Sequence, residues 1–380
     1  MTDLLLTGGD VVTIDGVLAG GWLHVAGDRI GGLGPTGSAP PATATVVDCA
    51  GHIVVPGFVD IHEHGGGGFS YDGGPEAART ALATHRAHGT TTSVASLVSL
   101  PPATLRRALP ELAELTEAGE LAGVHLEGPW LSPARPGAHE PSRLHPPTEA
   151  ELAELLSWGN GTIRMVTLAP ELDGGLAAIE ALTARGVVAA VGHTDATFGQ
   201  ARAAVAAGAT VGTHLFNAMP PPLSRDPGPV LAMLDAPGVT IELIADGVHL
   251  HAAWVRHVLA TVAPARVALV TDAMAAAGMP DGGYRLGGRE VVVADGVARL
   301  AGGGAIAGGT ATSDVLFRRA VVEYGLSLVD AASVTATTPA AALGLTDVGR
   351  LAAGLRADAV LLDGDLTVRR VLRAGRWVRR

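Results

Sequence analysis

Between residues 52 and 345, short runs of β-branched and other apolar residues alternate with longer stretches whose apolar positions repeat at the helical period. The runs predict eight strands, at about 53–62, 91–98, 121–127, 162–169, 187–193, 209–215, 239–245 and 265–272. The stretches between them predict helices at 75–88, 102–118, 148–157, 173–185, 197–207 and 249–261. Eight strand–helix units in succession predict an α/β fold of the TIM-like (β/α)8 barrel type, whose functional residues lie at the C-terminal ends of the strands.

The two ends of the chain follow a different pattern, in which apolar and polar residues alternate as they do in half-buried strands. Turn signals separate these predicted strands at Asp15-Gly16, Gly27-Asp28 and Asp363-Gly364. We expect residues 1–50 and 346–380 to form one small β-sandwich domain, and residues 51–345 to form the barrel. Residues 284–300 predict a β-hairpin inserted after the eighth strand.

Side chains that could bind a metal ion or transfer a proton lie at the predicted ends of six of the eight strands. His62 and His64, in the stretch PGFVDIHEHGGGG (56–68), point to the same side of an extended chain. Taken alone, this pair also fits a polar strand end without a ligand. The other residues of this kind are Glu127, His193, His214, Asp246, His249 and Asp272. Because the strand ends of a closed barrel meet at one mouth, the set predicts a metal site.

Composition narrows the class of protein and the kind of metal site. The chain has 380 residues and a formal charge of −11 with acidic and basic residues interspersed, which disfavours a nucleic-acid partner. Apolar runs end well short of the roughly 20 residues of a membrane span, and Met1-Thr2-Asp3 lacks a basic region, so we expect a cytoplasmic protein without a membrane partner. A single cysteine, Cys49, leaves histidine and carboxylate as the metal ligands.

Seven motifs accompany these residues: PGFVDIHEHGGGG, GVHLEGPWLSPARPGAHE (123–140), VGHTDAT (191–197), GTHLFNAMPP (212–221), LIADGVHL (243–250), LVTDAM (269–274) and LAGGGAIAGGTATSD (300–314). Together they resemble the amidohydrolase superfamily and, within it, the N-acetylglucosamine-6-phosphate deacetylase family. The resemblance extends over almost the whole chain. It implies a metal-dependent hydrolase that converts N-acetylglucosamine 6-phosphate to glucosamine 6-phosphate and acetate, in amino-sugar catabolism.

The resemblance also implies which residues bind the metal. It assigns the principal divalent ion to Glu127, His193 and His214. It assigns His62 and His64 to a second ion, with Glu127 able to bridge the two. Related hydantoinases, dihydroorotases and phosphotriesterases bridge two ions with a carboxylated lysine, but this chain has no lysine, so a glutamate bridge or a single ion remains. Zinc is the first candidate, with iron, manganese and cobalt as alternatives.

Catalytic and substrate contacts are implied in the same way. Asp272 would be the general acid and base, and His139 would donate a hydrogen bond to the developing oxyanion. The implied substrate contacts are Ala138, Asn217, Ala218, Arg225, Asp246, His249, Ile306, Ala307 and Gly308. Arg225 is the candidate phosphate ligand, in its own subunit or in the partner subunit of a homodimer. Relatives often have a serine where Gly308-Gly309 stand, so contact there would come from the backbone.

Two alternative functions remain open at this point. The first is a deacetylase or deaminase on the same barrel that acts on a different sugar or on a heterocycle. The second is a catalytically silent barrel that serves as a scaffold. The complete set of ligands and an acid/base residue favours an enzyme over a scaffold.

Overall fold

The computed structural model describes residues 3–38, 40–41 and 45–379, and it contains one sheet of eight parallel strands. We call these barrel strands 1 to 8: Phe58–Glu63, Thr90–Leu97, Gly123–Glu127, Ile163–Leu168, Val188–Val191, Val211–Gly212, Thr240–Leu243 and Val267–Leu269. They lie in the sheet in sequence order. The Asp272 backbone N–H donates to His62 O (2.8 Å), so the chain after barrel strand 8 bonds to barrel strand 1. The predicted (β/α)8 barrel is confirmed.

Helices alternate with the barrel strands along the chain. They span Pro75–Ala87, Pro102–Glu117, Glu149–Trp158, Gly175–Thr183, Phe198–Ala206, Gly228–Asp235, Ala252–Thr261 and Ser313–Val322. Thr148 caps the third helix by accepting from the Glu151 N–H, and Thr197 begins the fifth with a capping box. Barrel strands 1 to 3 are buried along their whole length, as expected for parallel strands covered on both faces.

Two of these helices were not predicted. The helix Gly228–Asp235 begins inside the proline-rich stretch PPPLSRDPGP (220–229), whose composition indicates a loop. Proline is nevertheless tolerated in the first turn of a helix, where a missing N–H costs no hydrogen bond. The helix Ser313–Val322 follows the hairpin insert and completes the eighth strand–helix unit.

The first predicted strand, 53–62, is wrong in its extent, because it consists of two strands. Ile53–Pro56 pairs with strands of another sheet, and barrel strand 1 begins at Phe58. Between them, the Gly57 N–H donates to Asp358 O (3.1 Å). A Cβ atom at Gly57 would lie 2.2 Å from Thr91 Oγ1, so only glycine fits where the chain leaves one sheet for the other.

Both ends of the chain supply strands to that second sheet, as predicted. Its strands are Asp3–Thr13, Gly16–Ala26, Arg29–Gly34, Thr45–Asp48, Ile53–Pro56, Ala359–Leu362, Val368–Arg373 and Arg376–Trp377. The first of them changes partner along its length: residues 4–7 pair with 45–48, and residues 10–11 pair with 53–54. A separate core that includes Leu6, Leu23, Ile30, Leu361 and Leu372 is buried within this sheet.

The remaining elements are short. The predicted hairpin insert is a three-stranded antiparallel sheet of Gly282–Leu286, Arg289–Ala294 and Val297–Leu300. A two-stranded ladder joins Gly65–Gly66 to Phe69–Ser70. The short helical segments are Tyr71–Gly73, Pro141–Arg143, Pro264–Arg266, Leu328–Ala332, Ser333–Thr337 and Thr338–Ala342. Within the described ranges, none of the helices combines the length and apolar character that crossing a membrane requires.

By its internal contacts the chain divides into two compact units. The first comprises Met1–Asp60, His85–Thr92 and Thr312–Arg380, and the second comprises Ile61–Thr84 and Ser93–Ala311. All candidate site residues lie in the second unit. The domain boundaries predicted at residues 50 and 345 separate the barrel from the second sheet, whereas these two units are defined by contacts between residues. The predicted boundaries therefore stay a prediction.

Candidate metal centre and active site

Six candidate residues lie at, or just after, the C-terminal ends of five barrel strands, and all six are buried: His62, His64, Glu127, His193, His214 and Asp272. Three of them have left-handed backbone conformations, with φ of 47° at His193, 27° at His214 and 46° at Asp272. Residues with side chains rarely adopt this conformation, and when they do they cluster at functional sites. The fold therefore holds these three residues in an energetically unfavourable backbone conformation, which sets the direction of their side chains.

Glu127 lies at the centre of the group. Its Oε1 is 3.0 Å from His214 Nε2 and 3.1 Å from His193 Nε2. Its Oε2 is 3.1 Å from His139 Nε2 and 3.3 Å from His64 Nε2. His62 Nε2 lies slightly farther away, so one buried carboxylate contacts five imidazoles.

The opening histidine pair lies beside Asp272 as well as beside Glu127. His64 Nε2 is 3.1 Å and His62 Nε2 is 3.5 Å from Asp272 Oδ1. His62 Nε2 is also 3.4 Å from Glu127 Oε1. Asp272, which we predicted as an acid and base, therefore lies among the predicted ligands of the second ion. These seven residues, His62, His64, Glu127, His139, His193, His214 and Asp272, are called the Glu127 cluster below.

The Glu127 cluster fits a bound divalent cation. Within the described part of the chain, two sets of side chains place ligand atoms close enough to share an ion: His62 with His64 and Asp272, and Glu127 with His139 and His193. In addition, His193 Nε2 and His214 Nε2 lie only 3.0 Å apart. Neutral imidazoles can each offer one nitrogen lone pair, so a cation beside these two nitrogens can bind both.

The second ring nitrogen of three of these histidines faces an acceptor. An acceptor there holds the proton on Nδ1, which leaves the Nε2 lone pair free to bind metal. The three pairs are His62 with Glu242 Oε2 (3.1 Å), His64 with Ser96 O (3.2 Å) and His193 with Arg135 O (3.0 Å).

His139 has the opposite arrangement. Its Nδ1 accepts the backbone N–H of Ser99 (3.2 Å) and lies 3.0 Å from the Ser99 hydroxyl. Burial first, and then nearby His193, lower the pKa of His139 to about 4 against the raising effect of Glu127. His139 is therefore neutral near pH 7 and carries its proton on Nε2, which suits a hydrogen-bond donor better than a metal ligand.

The carboxylates and imidazoles of the cluster shift the pKa values of one another. Burial alone would raise the pKa of Glu127, but His62 and then His193 hold it well below its usual range. Burial would also raise the pKa of Asp272, and His62 and His64 lower it instead. Burial would lower the pKa of His64, but Asp272 and Glu127 raise it to about 9. The cluster therefore stabilises positive charge at its centre, as a site for a cation must.

A cavity of about 250 Å³ is lined by residues of the Glu127 cluster and by six of the predicted substrate contacts. The six are Ala138, Asn217, Ala218, His249, Ile306 and Gly308. A Cβ atom at Gly308 would lie 2.8 Å from Asp272 O, and its φ is +75°, so the local backbone requires a glycine there.

Three predicted substrate contacts are not among the lining residues. Asp246 lies behind His249, whose Nδ1 is 2.8 Å from Asp246 Oδ2. Ala307 is buried, and its N–H donates to Ala298 O (3.0 Å). Arg225 is exposed on the proline-rich loop 219–229.

Comparison with known proteins assigns the chain to a family. The model of the amidohydrolase family matches residues 53–378. The chain belongs to the amidohydrolase family. This membership agrees with the barrel and with the histidine and carboxylate side chains at its strand ends.

Similarity to individual amidohydrolases covers most of the chain. An N-acetylgalactosamine-6-phosphate deacetylase of Escherichia coli O157:H7 is 37% identical over 358 residues, covering 92% of this chain and 94% of the relative. An N-acetylglucosamine-6-phosphate deacetylase of Danio rerio is 37% identical over 348 residues, covering 87% and 86%. A solved structure of a point mutant of the Mycobacterium smegmatis N-acetyl-D-glucosamine-6-phosphate deacetylase, in complex with N-acetyl-D-glucosamine-6-phosphate, is 50% identical with a TM-score of 0.96, and 100% of each chain is covered.

Several residues of this amidohydrolase site were missed in the sequence. Glu242, on barrel strand 7, contacts two candidate ligands, and the signal was a single charge inside the apolar run TIELIA. Leu286 and Ala305 line the cavity from the hairpin insert and the segment after it, and no signal distinguished them. Arg289 donates to Ala138 O (3.3 Å) and to His139 O (2.8 Å), so the insert also holds the His139 loop in place.

Proposed function

We propose that this amidohydrolase hydrolyses the acetamide of N-acetylglucosamine 6-phosphate, giving glucosamine 6-phosphate and acetate. The observation that carries the proposal is a cavity lined by residues of the Glu127 cluster, among them the Asp272 carboxylate and the neutral His139. The Mycobacterium smegmatis relative, which is described in complex with that sugar phosphate, supports the same substrate.

The metal would be held by the Glu127 cluster. Glu127, His193 and His214 would bind the principal ion, and His62 and His64 would bind a second ion with Glu127 as the bridge. Imidazole and carboxylate ligands suit zinc first, with iron, manganese and cobalt as alternatives. When bound, such an ion polarises the amide carbonyl and lowers the pKa of a water molecule.

The protein's own residues would handle the protons and the developing charge. The Asp272 carboxylate accepts a proton from the attacking water and passes it to the amine that leaves. Its low pKa keeps it ionised and ready to accept that proton. His139, neutral and protonated on Nε2, donates a hydrogen bond to the carbonyl oxygen as that oxygen becomes negative.

Recognition of the phosphate would require a cation from outside the cavity lining. The described residues that line the cavity include no arginine. Arg225 lies only seven residues after Ala218, which lines the cavity together with Asn217. We therefore propose that Arg225 binds the phosphate, either in its own subunit or across a homodimer. Leu223 and Trp254, exposed by 60% and 43%, provide apolar surface for the dimer contact.

The proposal also includes a cytoplasmic location. A charged sugar phosphate does not cross a lipid bilayer unaided, because burying its charge in hydrocarbon is costly. An enzyme that consumes it must therefore share a compartment with the reactions that produce it.

Acetate release from a panel of sugars tests the function. The purified enzyme, loaded with Zn²⁺, would be assayed with N-acetylglucosamine 6-phosphate, its galacto epimer and both unphosphorylated sugars. The epimer is included because the Escherichia coli relative is named for it. We expect the highest kcat/KM for the gluco 6-phosphate. Equal rates on phosphorylated and unphosphorylated sugars would contradict the proposal, and preference for the epimer would reassign the substrate.

A further inference from the structure

Glu242 is a buried acidic residue on barrel strand 7. Its exposed fraction is zero, and its neighbours on the strand, Ile241 and Leu243, are equally buried and apolar. A carboxylate without a function would be costly in such surroundings, because removal from water disfavours its charged form. The fold therefore retains Glu242 for a specific contact.

The contacts of Glu242 lead to two candidate metal ligands. Its Oε2 lies 3.1 Å from His62 Nδ1 and accepts the backbone N–H of His214 (3.2 Å). Its backbone carbonyl accepts the N–H of Leu215 (2.9 Å). Barrel strands 1 and 7 are separated by barrel strand 8, so Glu242 reaches His62 through the barrel interior, where side chains of alternate strands share a layer.

His62 differs from His64 and His193 in the chemical group that faces its Nδ1. His64 and His193 have a backbone carbonyl at Nδ1, whereas His62 has a carboxylate. A carboxylate at Nδ1 fixes the ring orientation and makes Nε2 a stronger donor to a metal ion. It also adds a third buried carboxylate to Glu127 and Asp272. One divalent ion offsets only two of these formal charges, so the third favours binding of a second ion.

We propose that Glu242 is a positioning residue that orients His62 and sets the affinity of the second metal ion, the one held by His62 and His64. The inference rests on the metal centre proposed above, but not on the identity of the substrate. Glu242 does not contact the substrate cavity, and its effect on hydrolysis passes through His62.

Zn²⁺ stoichiometry and affinity test this role directly. The full chain, stripped of metal and then titrated with Zn²⁺ alone, would be followed by calorimetry, and its bound zinc would be counted by mass spectrometry after dialysis. Glu242→Gln keeps an acceptor for both N–H groups but removes the charge, and we expect the second ion to bind about 10-fold more weakly. Glu242→Met removes charge and acceptor together, and we expect about 100-fold weaker binding, which leaves about one zinc per chain after dialysis.

Thr167→Val is the matched control. Thr167 is a fully buried polar residue on barrel strand 4 whose hydroxyl lies 2.8 Å from His125 Nε2 and 2.9 Å from Thr213 Oγ1. Its backbone pairs with Glu127 across the sheet, but the hydroxyl that the substitution removes bonds to these two side chains and to no candidate ligand. Loss of the Thr167 hydroxyl should leave two zinc ions bound with unchanged affinity. Nitrogen chemical shifts of His62 add a readout that a packing defect alone would not produce: the Nδ1–H tautomer should dominate in the parent and in Glu242→Gln, and lose its dominance in Glu242→Met.

Two outcomes would overturn the inference. Two zinc ions bound with parental affinity in Glu242→Met would show that His62 needs no carboxylate. Equal weakening of both ions, in a variant whose circular dichroism matches the parent, would show that Glu242 acts through the His214 turn instead. Retention of the first ion in either variant demonstrates a folded barrel. None of these measurements uses the sugar, so failure of the deacetylase proposal would leave them intact.

Discussion

The Glu127 cluster and the loop 219–229 contribute to the same proposed reaction, but the fold defines them to very different degrees. In the cluster every side chain is buried. Most of the histidines have a partner at both ring nitrogens: His193, for example, faces Arg135 O at Nδ1 and Glu127 at Nε2. In the loop, Leu223 and Arg225 are exposed. Preorganised groups lower the barrier of a chemical step, whereas a mobile ligand must be ordered when substrate binds. The groups proposed for the chemistry are thus in place before substrate binds, whereas the proposed phosphate contact of the exposed Arg225 would form only on binding.

The largest effect should come from removing the centre of the cluster. Glu127→Ala takes away the carboxylate that five imidazoles face, and we expect metal content to fall from stoichiometric to near zero with loss of all measurable turnover. His193→Ala should behave in the same way, because a site of about three protein ligands tolerates no loss. Metal analysis and acetate release check both. Stoichiometric metal and near-normal turnover in either variant would remove it from the metal site.

Asp272→Asn separates proton transfer from metal binding. The amide keeps the size of the side chain but cannot accept a proton, so kcat should fall by about 100- to 10,000-fold. The principal ion should remain, since Glu127, His193 and His214 are intact. Steady-state kinetics with metal analysis on the same sample provide the check. Turnover within a few-fold of the parent would move the acid and base role to another residue.

His139→Ala distinguishes a donor from a ligand within the cluster itself. His139 and His193 both lie 3.1 Å from Glu127, but the Nδ1 partner of His139 is a donor. We expect kcat to fall by about 100- to 1,000-fold with unchanged metal content, as when an oxyanion donor is lost. Because the pKa of His139 is lowered to about 4, its neutral form should persist at all higher pH, and it should add no inflection to the rate profile above pH 5. Loss of metal in this variant would make His139 a ligand.

On the loop side of the comparison, Arg225→Ala should act on binding alone. Hydrogen bonds to a charged group contribute about 1.5–3 kcal/mol, so KM for the 6-phosphate should rise by about 10- to 100-fold while that for N-acetylglucosamine stays the same. Arg202→Ala is a suitable control, because Arg202 pairs with Asp235 on the surface (3.2 Å). Equal loss on both sugars would assign Arg225 to the structure of the loop rather than to phosphate.

The smallest expected effect is a pH dependence of substrate binding through His249. Burial alone would lower the pKa of His249, but Asp246 raises it above its usual value of 6.5. The imidazolium is therefore lost at a higher pH than that of an ordinary histidine, as pH rises through the raised pKa. KM for the 6-phosphate should increase a few-fold across that range, and the unphosphorylated sugar should show no such rise. The trend should vanish in His249→Gln. An equal rise for both sugars would argue against a phosphate contact.

The periodic pattern was enough to predict the barrel, because eight apolar runs bounded by helical stretches have few other ways to bury both faces. The prediction failed where tertiary contacts, rather than the local sequence pattern, determine which secondary-structure element forms and where it ends. Gly57 divides one apolar run between two sheets through its close approach to Thr91. The helix Gly228–Asp235 begins in a proline-rich stretch because it packs against the preceding helix, Phe198–Ala206, with Val230 and Met233 buried.

For the site, the ends of the strands predicted which histidines and carboxylates meet, but not what lies behind them. Glu242 is 180 residues from His62, and Ser99 is 40 residues from His139, and neither separation carries a local signal. The tautomer of each ring depends on these partners. Proton positions are therefore a property of the fold, although the ligand residues can be found in the sequence.

The left-handed backbone at His193, His214 and Asp272 implies a trade-off between activity and thermal stability in this barrel. Such conformations cost on the order of 1–3 kcal/mol each for a residue with a side chain, and glycine would relieve the cost. Laboratory evolution for heat resistance, carried out without a test of turnover, would therefore favour glycine at three positions that we propose bind the cation or accept the proton. The variants it enriched would be sturdier barrels and worse enzymes.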